Sequence, residues 1–162
     1  MFKFGTIGAY KQVRNNPRGK AKSVLLDGMT VIPDRILNES PVPATPAQAK
    51  GDVYVAGNII DKPEIRNSKD FKIEIGEYVR SFRLSDLAGL PVELDYRIVK
   101  DAYQDVNVKD VLVSTNVADD GVDAGKWKKV TIAEAADYKV KLLVIEKTSF
   151  GDKGFYCEVV TN

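Results

Sequence analysis

The strongest structural instruction in this chain is a period of two. Phe71, Ile73 and Ile75 alternate with Lys72 and Glu74, and Val92, Leu94, Tyr96 and Ile98 alternate with Glu93, Asp95 and Arg97. Successive side chains of an extended strand point to opposite faces, so each run puts its apolar set on one side of a sheet and its charges on the other. Further strands are expected at Val53–Ala56 and Val111–Ser114. The pair Tyr138–Lys147 and Phe155–Thr161, with a loop at Ser149–Gly154, is the clearest hairpin. Between Phe71 and Leu84 the apolar parity switches at Gly76-Glu77, which predicts a bulge or tight turn there and inward positions for Tyr78, Phe82 and Leu84. Helix has room only at Ser85–Leu90 and Thr131–Asp137. The expected fold is mainly β, with strand exceeding helix about threefold against ordinary proportions in which helix leads. Its architecture is expected to be an antiparallel sandwich or small barrel with an extended basic N-terminal arm.

Charge divides the chain. Residues 1–50 hold eight basic and three acidic side chains, whereas the remainder holds 16 basic and 20 acidic ones. Asn15-Asn16-Pro17-Arg18-Gly19 is a cluster of turn formers that interrupts any regular element in the acid-free stretch 1–23. Asp27-Gly28, between Val24–Leu26 and Met29–Ile32, is a hairpin-turn dipeptide, so a small β clasp is expected there. Pro41, Pro43 and Pro46 then argue against helix and ladder pairing alike, and residues 40–50 read as an extended linker. The expected organisation is an arm, clasp and linker over 1–50 and an antiparallel β domain over 51–162.

The chain of 162 residues contains no histidine. This removes the usual general base near neutral pH, the partner in Ser-His and Cys-His pairs, and the commonest transition-metal ligand. No lysine or carboxylate motif replaces it, so no catalytic residue, metal site or cofactor is expected. The glycines of Gly5–Gly8 and Gly151–Gly154 lack the spacing of a phosphate loop. Asp119-Asp120-Gly121-Val122-Asp123 lacks the ligand spacing of a calcium loop and reads as a solvated turn. Cys157 shares parity with Phe155 and Val159, so it is expected to be buried and inert. Trp127, set among Lys126, Lys128 and Lys129, reads as core or rim packing, which leaves nucleic acid disfavoured as a partner. The longest apolar runs, such as Leu142–Ile145, fall far short of the ~20 residues needed to cross a bilayer, and no secretory leader is expected.

The arm is where a partner is expected to bind. Lys11, Arg14, Arg18, Lys20 and Lys22 lie in its acid-free stretch, and Phe2, Phe4 and Tyr10 are large side chains that a purely solvating tail would not need. The candidate partner-binding set is therefore Phe2, Phe4, Tyr10, Lys11, Arg14, Arg18, Lys20 and Lys22. With its own strand set, the β domain is expected to stay folded when residues 1–22 are removed.

The layout of basic arm, Pro/Ala linker and β domain, with the stretch Gly76-Glu77-Tyr78-Val79-Arg80-Ser81-Phe82-Arg83-Leu84-Ser85-Asp86-Leu87-Ala88-Gly89-Leu90-Pro91-Val92, resembles the small head-associated structural proteins of tailed bacteriophages. Gly125-Lys126-Trp127 and Val144–Gly151 add to that resemblance, which covers about half of the chain. It implies a capsid decoration or head-fibre-type protein, made in the host cytoplasm and carried on the virion surface. Its implied partner is the major capsid protein, which it would bind as a monomer or as a homo-oligomer on the shell. A carbohydrate- or peptide-binding β module is the alternative, with Tyr54, Tyr78, Tyr96, Tyr103 and Trp127 as stacking candidates.

Overall fold

A computed structural model describes residues 2–5, 19–58, 71–148 and 153–162. In chain order the strands are β1 (Phe2–Phe4), β2 (Gly19–Ala21), β3 (Thr30–Val31), β4 (Glu39–Ser40), β5 (Tyr54–Ala56), β6 (Tyr78–Val79), β7 (Ser81–Arg83), β8 (Pro91–Asp95), β9 (Val111–Ser114), β10 (Trp127–Val130), β11 (Val140–Thr148) and β12 (Gly154–Thr161). Among the described residues the helices are three short α-helices, α1 (Pro46–Lys50), α2 (Val117–Asp120) and α3 (Ile132–Ala135), with 3-10 turns at Leu84–Leu87, Tyr96–Ile98 and Gly121–Asp123. The protein is mainly β. Strand exceeds helix about twofold among the described residues, 38% against 18%, rather than threefold, because several connections close as single helical turns.

Six strands form the largest sheet in the order β1-β8-β12-β11-β9-β10, and two three-stranded sheets run β4-β2-β6 and β3-β5-β7. Pairing is antiparallel except between β2 and β4. No sheet closes on itself, so the architecture is sandwich-like and not a barrel. The predicted hairpin of β11 and β12 forms, with Leu142 opposite Val159 and Val144 opposite Cys157. A bulge between Val144 and Glu146 turns Ile145 outward.

The alternation reads correctly where its strand has partners on both sides. Val92 and Leu94 of β8 are buried between β1 and β12. The strand then ends at Asp95, three residues before Ile98, because the Asp95 carboxylate accepts the Arg97 N–H at 2.9 Å and opens the 3-10 turn that delivers Ile98 to the core. Phe71–Ile75 is not a strand. Phe71 and Ile73 are buried, but among the described residues only Ile73 bridges to another segment, at Leu25, and the chain turns at Glu74–Glu77 with Gly76 at φ +86°. That turn supplies the expected parity change, yet Val79 takes the inward position and Tyr78 faces solvent.

The described part of the N-terminal region belongs to the core. Ala21, Leu25, Met29 and Val31 lie in one buried cluster with Leu112, Trp127, Leu142 and Phe155, so the expected boundary at residue 50 crosses a shared core and does not separate two. Asp27-Gly28 does make a turn, with Met29 N–H donating to the Leu26 carbonyl at 3.1 Å, but no clasp forms: Leu25 bridges to Ile73 while β3 pairs with β5. The proline-rich segment is likewise no free linker. Proline lacks an N–H but keeps its carbonyl, and those of Pro41 and Pro43 accept from Ile32 (2.8 Å) and Val117 (2.9 Å). Pro46 starts α1 behind the Thr45 cap, the position in a helix where a missing N–H and a fixed φ do no harm. α1 and α3 cover the outer face of β9, where Ala49, Val113, Ala135 and Tyr138 form a second cluster. With both faces covered, β9 is continuously apolar over Val111–Val113.

Candidate docking surface

Asp34 and Glu39 exchange two backbone hydrogen bonds, Asp34 N–H to Glu39 O at 2.7 Å and Glu39 N–H to Asp34 O at 3.1 Å. They close a four-residue loop, Arg35-Ile36-Leu37-Asn38. Inside it Asp34 Oδ1 accepts the N–H groups of Ile36 (2.8 Å) and Leu37 (3.0 Å), an Asx turn, and Asn38 holds φ +55°, a conformation its short polar side chain tolerates. The backbone is thus organised by Asp34, Asn38 and Glu39, and nothing in it calls for aliphatic side chains. Even so, Ile36 is 91% and Leu37 65% exposed. Each forgoes about 1.5–3 kcal/mol that burial would bring.

The loop rises beside the β4-β2-β6 sheet. Lys20 on β2 stands over the ring of Tyr78 on β6, 5.4 Å from its centroid, and Lys22 pairs with Glu39 at 2.8 Å. Lys20, Leu37, Asn38, Glu39 and Tyr78 line an open groove of about 560 Å³. Among its described lining residues the one carboxylate, Glu39, is neutralised by Lys22, and Lys20 makes no ion pair with any described residue.

The outer flanks of this sheet are closed to strand addition. Asn58 donates to the Tyr78 carbonyl (2.9 Å) and accepts the Arg80 N–H (2.7 Å), so its side-chain amide takes the place of a neighbouring strand along β6. Asp34 occupies the free side of Glu39 on β4.

A second groove of about 370 Å³ is lined by Lys50, Lys128, Lys129, Val130, Glu134, Asp137 and Tyr138. Its lysines are all committed: Lys50 to Asp137 at 2.8 Å, Lys128 to Asp120 at 3.1 Å and Lys129 to Asp110 at 2.8 Å. The acidic loop is largely exposed, as expected of a solvated turn, but its Asp120 carboxylate is held by Lys100 at 2.9 Å and Lys128 at 3.1 Å. Burial raises the Asp120 pKa, but hydrogen bonds from Lys100, the Asn116 backbone and Lys128 outweigh it, and the net direction is down. Among the described residues no group of three or more acidic or cysteine side chains is placed to hold a metal ion.

The expected partner-binding residues fall in two places. Lys20 and Lys22 border the groove. Phe2 and Phe4 belong to β1 at the edge of the six-stranded sheet, and Phe2 packs against the core. Tyr10, Lys11, Arg14 and Arg18 lie outside the described residues. Sequence reasoning missed Ile36, Leu37, Asn38, Glu39 and Asn58. The available signal was an aliphatic pair bracketed by Asp34 and Asn38, both turn formers, directly after Pro33.

Of the remaining candidates, Tyr54 is partly buried against the core, whereas Tyr96 is 39% exposed on the 3-10 turn after β8. Trp127 is fully buried. Cys157 is buried too, and burial pushes its thiol up to about 12, which leaves it inert as expected. Tyr103 sits against Phe155, centroids 5.2 Å apart, beneath Lys147 at 4.3 Å. Among the described residues no helix is long and apolar enough to cross a membrane. Compared with protein-family models, with curated proteins and with solved structures, the chain matches none of them.

Proposed function

We propose that this chain is a non-catalytic structural protein of a tailed-bacteriophage head, which binds the outside of the capsid shell through the major capsid protein and reinforces it. The observation that carries this reading is the Asp34–Glu39 loop. A hydrogen-bonded loop that presents Ile36 and Leu37 to water holds an aliphatic anchor in one conformation before any partner arrives, and a preordered anchor loses little entropy on docking. The bordering Lys20, which pairs with no described acid, supplies charge for steering. The sequence resemblance to head-associated proteins supplies the class of partner. Contact through side chains fits the closed flanks of the β4-β2-β6 sheet better than strand addition there.

Co-sedimentation with assembled shells of the major capsid protein encoded in the same genome tests the reading. Wild-type protein is expected to pellet with shells, and Ile36→Asp, at a side chain 91% exposed, is expected to keep its stability and lose about tenfold or more in affinity. Wild-type protein that stays in the supernatant would overturn the proposal.

A further inference from the structure

We infer that the groove between Leu37 and Tyr78 receives an acidic segment of the partner, a short stretch in which a carboxylate is followed closely by an aliphatic side chain. The partner's place on the shell rests on the docking reading above, but the chemistry of the segment rests on the groove itself.

Charge comes first. Glu39 is cancelled by Lys22 at 2.8 Å, and among the described residues Lys20 rests only on the Tyr78 ring at 5.4 Å. The ring face steadies the ammonium without consuming its N–H donors, so a carboxylate can join Lys20 while the cation-π contact stays in place. The second groove offers no such cation, because its three lysines already have acids within 3.1 Å.

Shape agrees. About 560 Å³ lies within the range of ordinary small-ligand clefts, roughly 300–1,000 Å³, and Leu37 at 65% and Tyr78 at 60% exposure provide apolar walls on two sides. A segment with carboxylates alone would leave those walls wet. One with aliphatics alone would leave Lys20 without a counter-charge in a partly desolvated site. Because Asn58 already occupies the backbone groups of Tyr78 and Arg80, recognition proceeds through side chains and not through an added strand.

The test uses the full chain, labelled with nitrogen-15. A capped tetrapeptide of alternating aspartate and leucine is titrated against it, with the lysine-for-aspartate analogue as control. The acidic peptide is expected to move the amide signals of Lys20, Leu37, Asn38 and Tyr78. The basic analogue should leave them in place, and Lys20→Glu should abolish the response while Lys153→Glu retains it. Amide spectra of both variants report whether the fold survives. In parallel, Lys20→Glu is expected to weaken shell binding about tenfold, with Lys153→Glu unchanged. Shells that hold Lys20→Glu as tightly as wild type would overturn the groove inference and leave the docking reading standing. If wild-type protein does not bind shells at all, the docking reading falls, and the peptide alone decides the groove: unmoved groove amides overturn the inference and shifted ones uphold it.

Discussion

The indole Nε1 of Trp127 donates a hydrogen bond to the carbonyl oxygen of Gly28, 2.9 Å away and 99 residues distant along the chain. Gly28 holds φ +96° in the Leu26–Met29 turn, and the added Cβ of any other residue would collide with Ile98. The bond ties the N-terminal region to an edge of the six-stranded sheet. Trp127→Phe keeps most of the ring volume but leaves the buried Gly28 carbonyl unpaired, which should cost on the order of 1–3 kcal/mol in urea unfolding. A variant as stable as wild type would show that the bond contributes nothing.

Removing residues 1–22 should destabilise the whole molecule, contrary to the expectation drawn from sequence. The deletion takes β2 from between β4 and β6, takes β1 from beside β8, and removes the buried Ala21. A loss of several kcal/mol is expected, lowering the thermal midpoint on the order of 10 °C. A truncated chain with unchanged thermal unfolding would mean that these strands add nothing to the core.

Acid should weaken the fold between about pH 4 and pH 2. Burial raises the pKa of Asp95, but the Arg97 side chain and backbone N–H outweigh it and hold the carboxyl at about 2. Asp52 is likewise raised by burial and brought down to about 2 by Arg83, Lys139 and Ser85. Carboxyls depressed in the folded state stabilise it above their ordinary pKa near 4, and that contribution disappears as pH falls through the folded value. For Asp95 it is worth up to roughly 2 kcal/mol, and less for Asp52, whose partners Arg83 and Lys139 are nearly half exposed and screened. The stability gap between wild type and Asp95→Asn should therefore be present at pH 7 and close by pH 2. A gap that persists unchanged to pH 2 would contradict the assignment.

Asn58→Ala should uncover the flank of β6. It frees the Tyr78 carbonyl and the Arg80 N–H together, at a cost of about 1–3 kcal/mol for two hydrogen bonds, and presents a strand edge that another chain can pair with. Sedimentation velocity should show concentration-dependent association absent from wild type. A variant that remains a single species at all concentrations would argue that Asn58 does not guard this edge.

Local chemistry made part of this protein legible in advance. The β11–β12 hairpin, the strand Val111–Ser114, the turn at Gly76, the helical turn behind Thr131 and the burial of Cys157 all follow from the residues immediately around them: alternation, a glycine where φ is positive, a capping hydroxyl with Glu134 three residues on. Such patterns define the two faces of a strand and say nothing about which segment lies beside it. That choice belongs to the tertiary structure. Phe71–Ile75 alternates as well as β8 does, yet it finds only one bridging partner and stays irregular, while the basic, proline-interrupted N-terminal region is drawn into the sheets because Ala21, Leu25, Met29 and Val31 complete a core that residues 51–162 do not fill alone. The groove arises the same way. Lys20, Leu37 and Tyr78 are strangers in sequence and become neighbours only when β2 inserts between β4 and β6, since pairing over long separations is decided by the total apolar surface removed from water and not by any short stretch of chain.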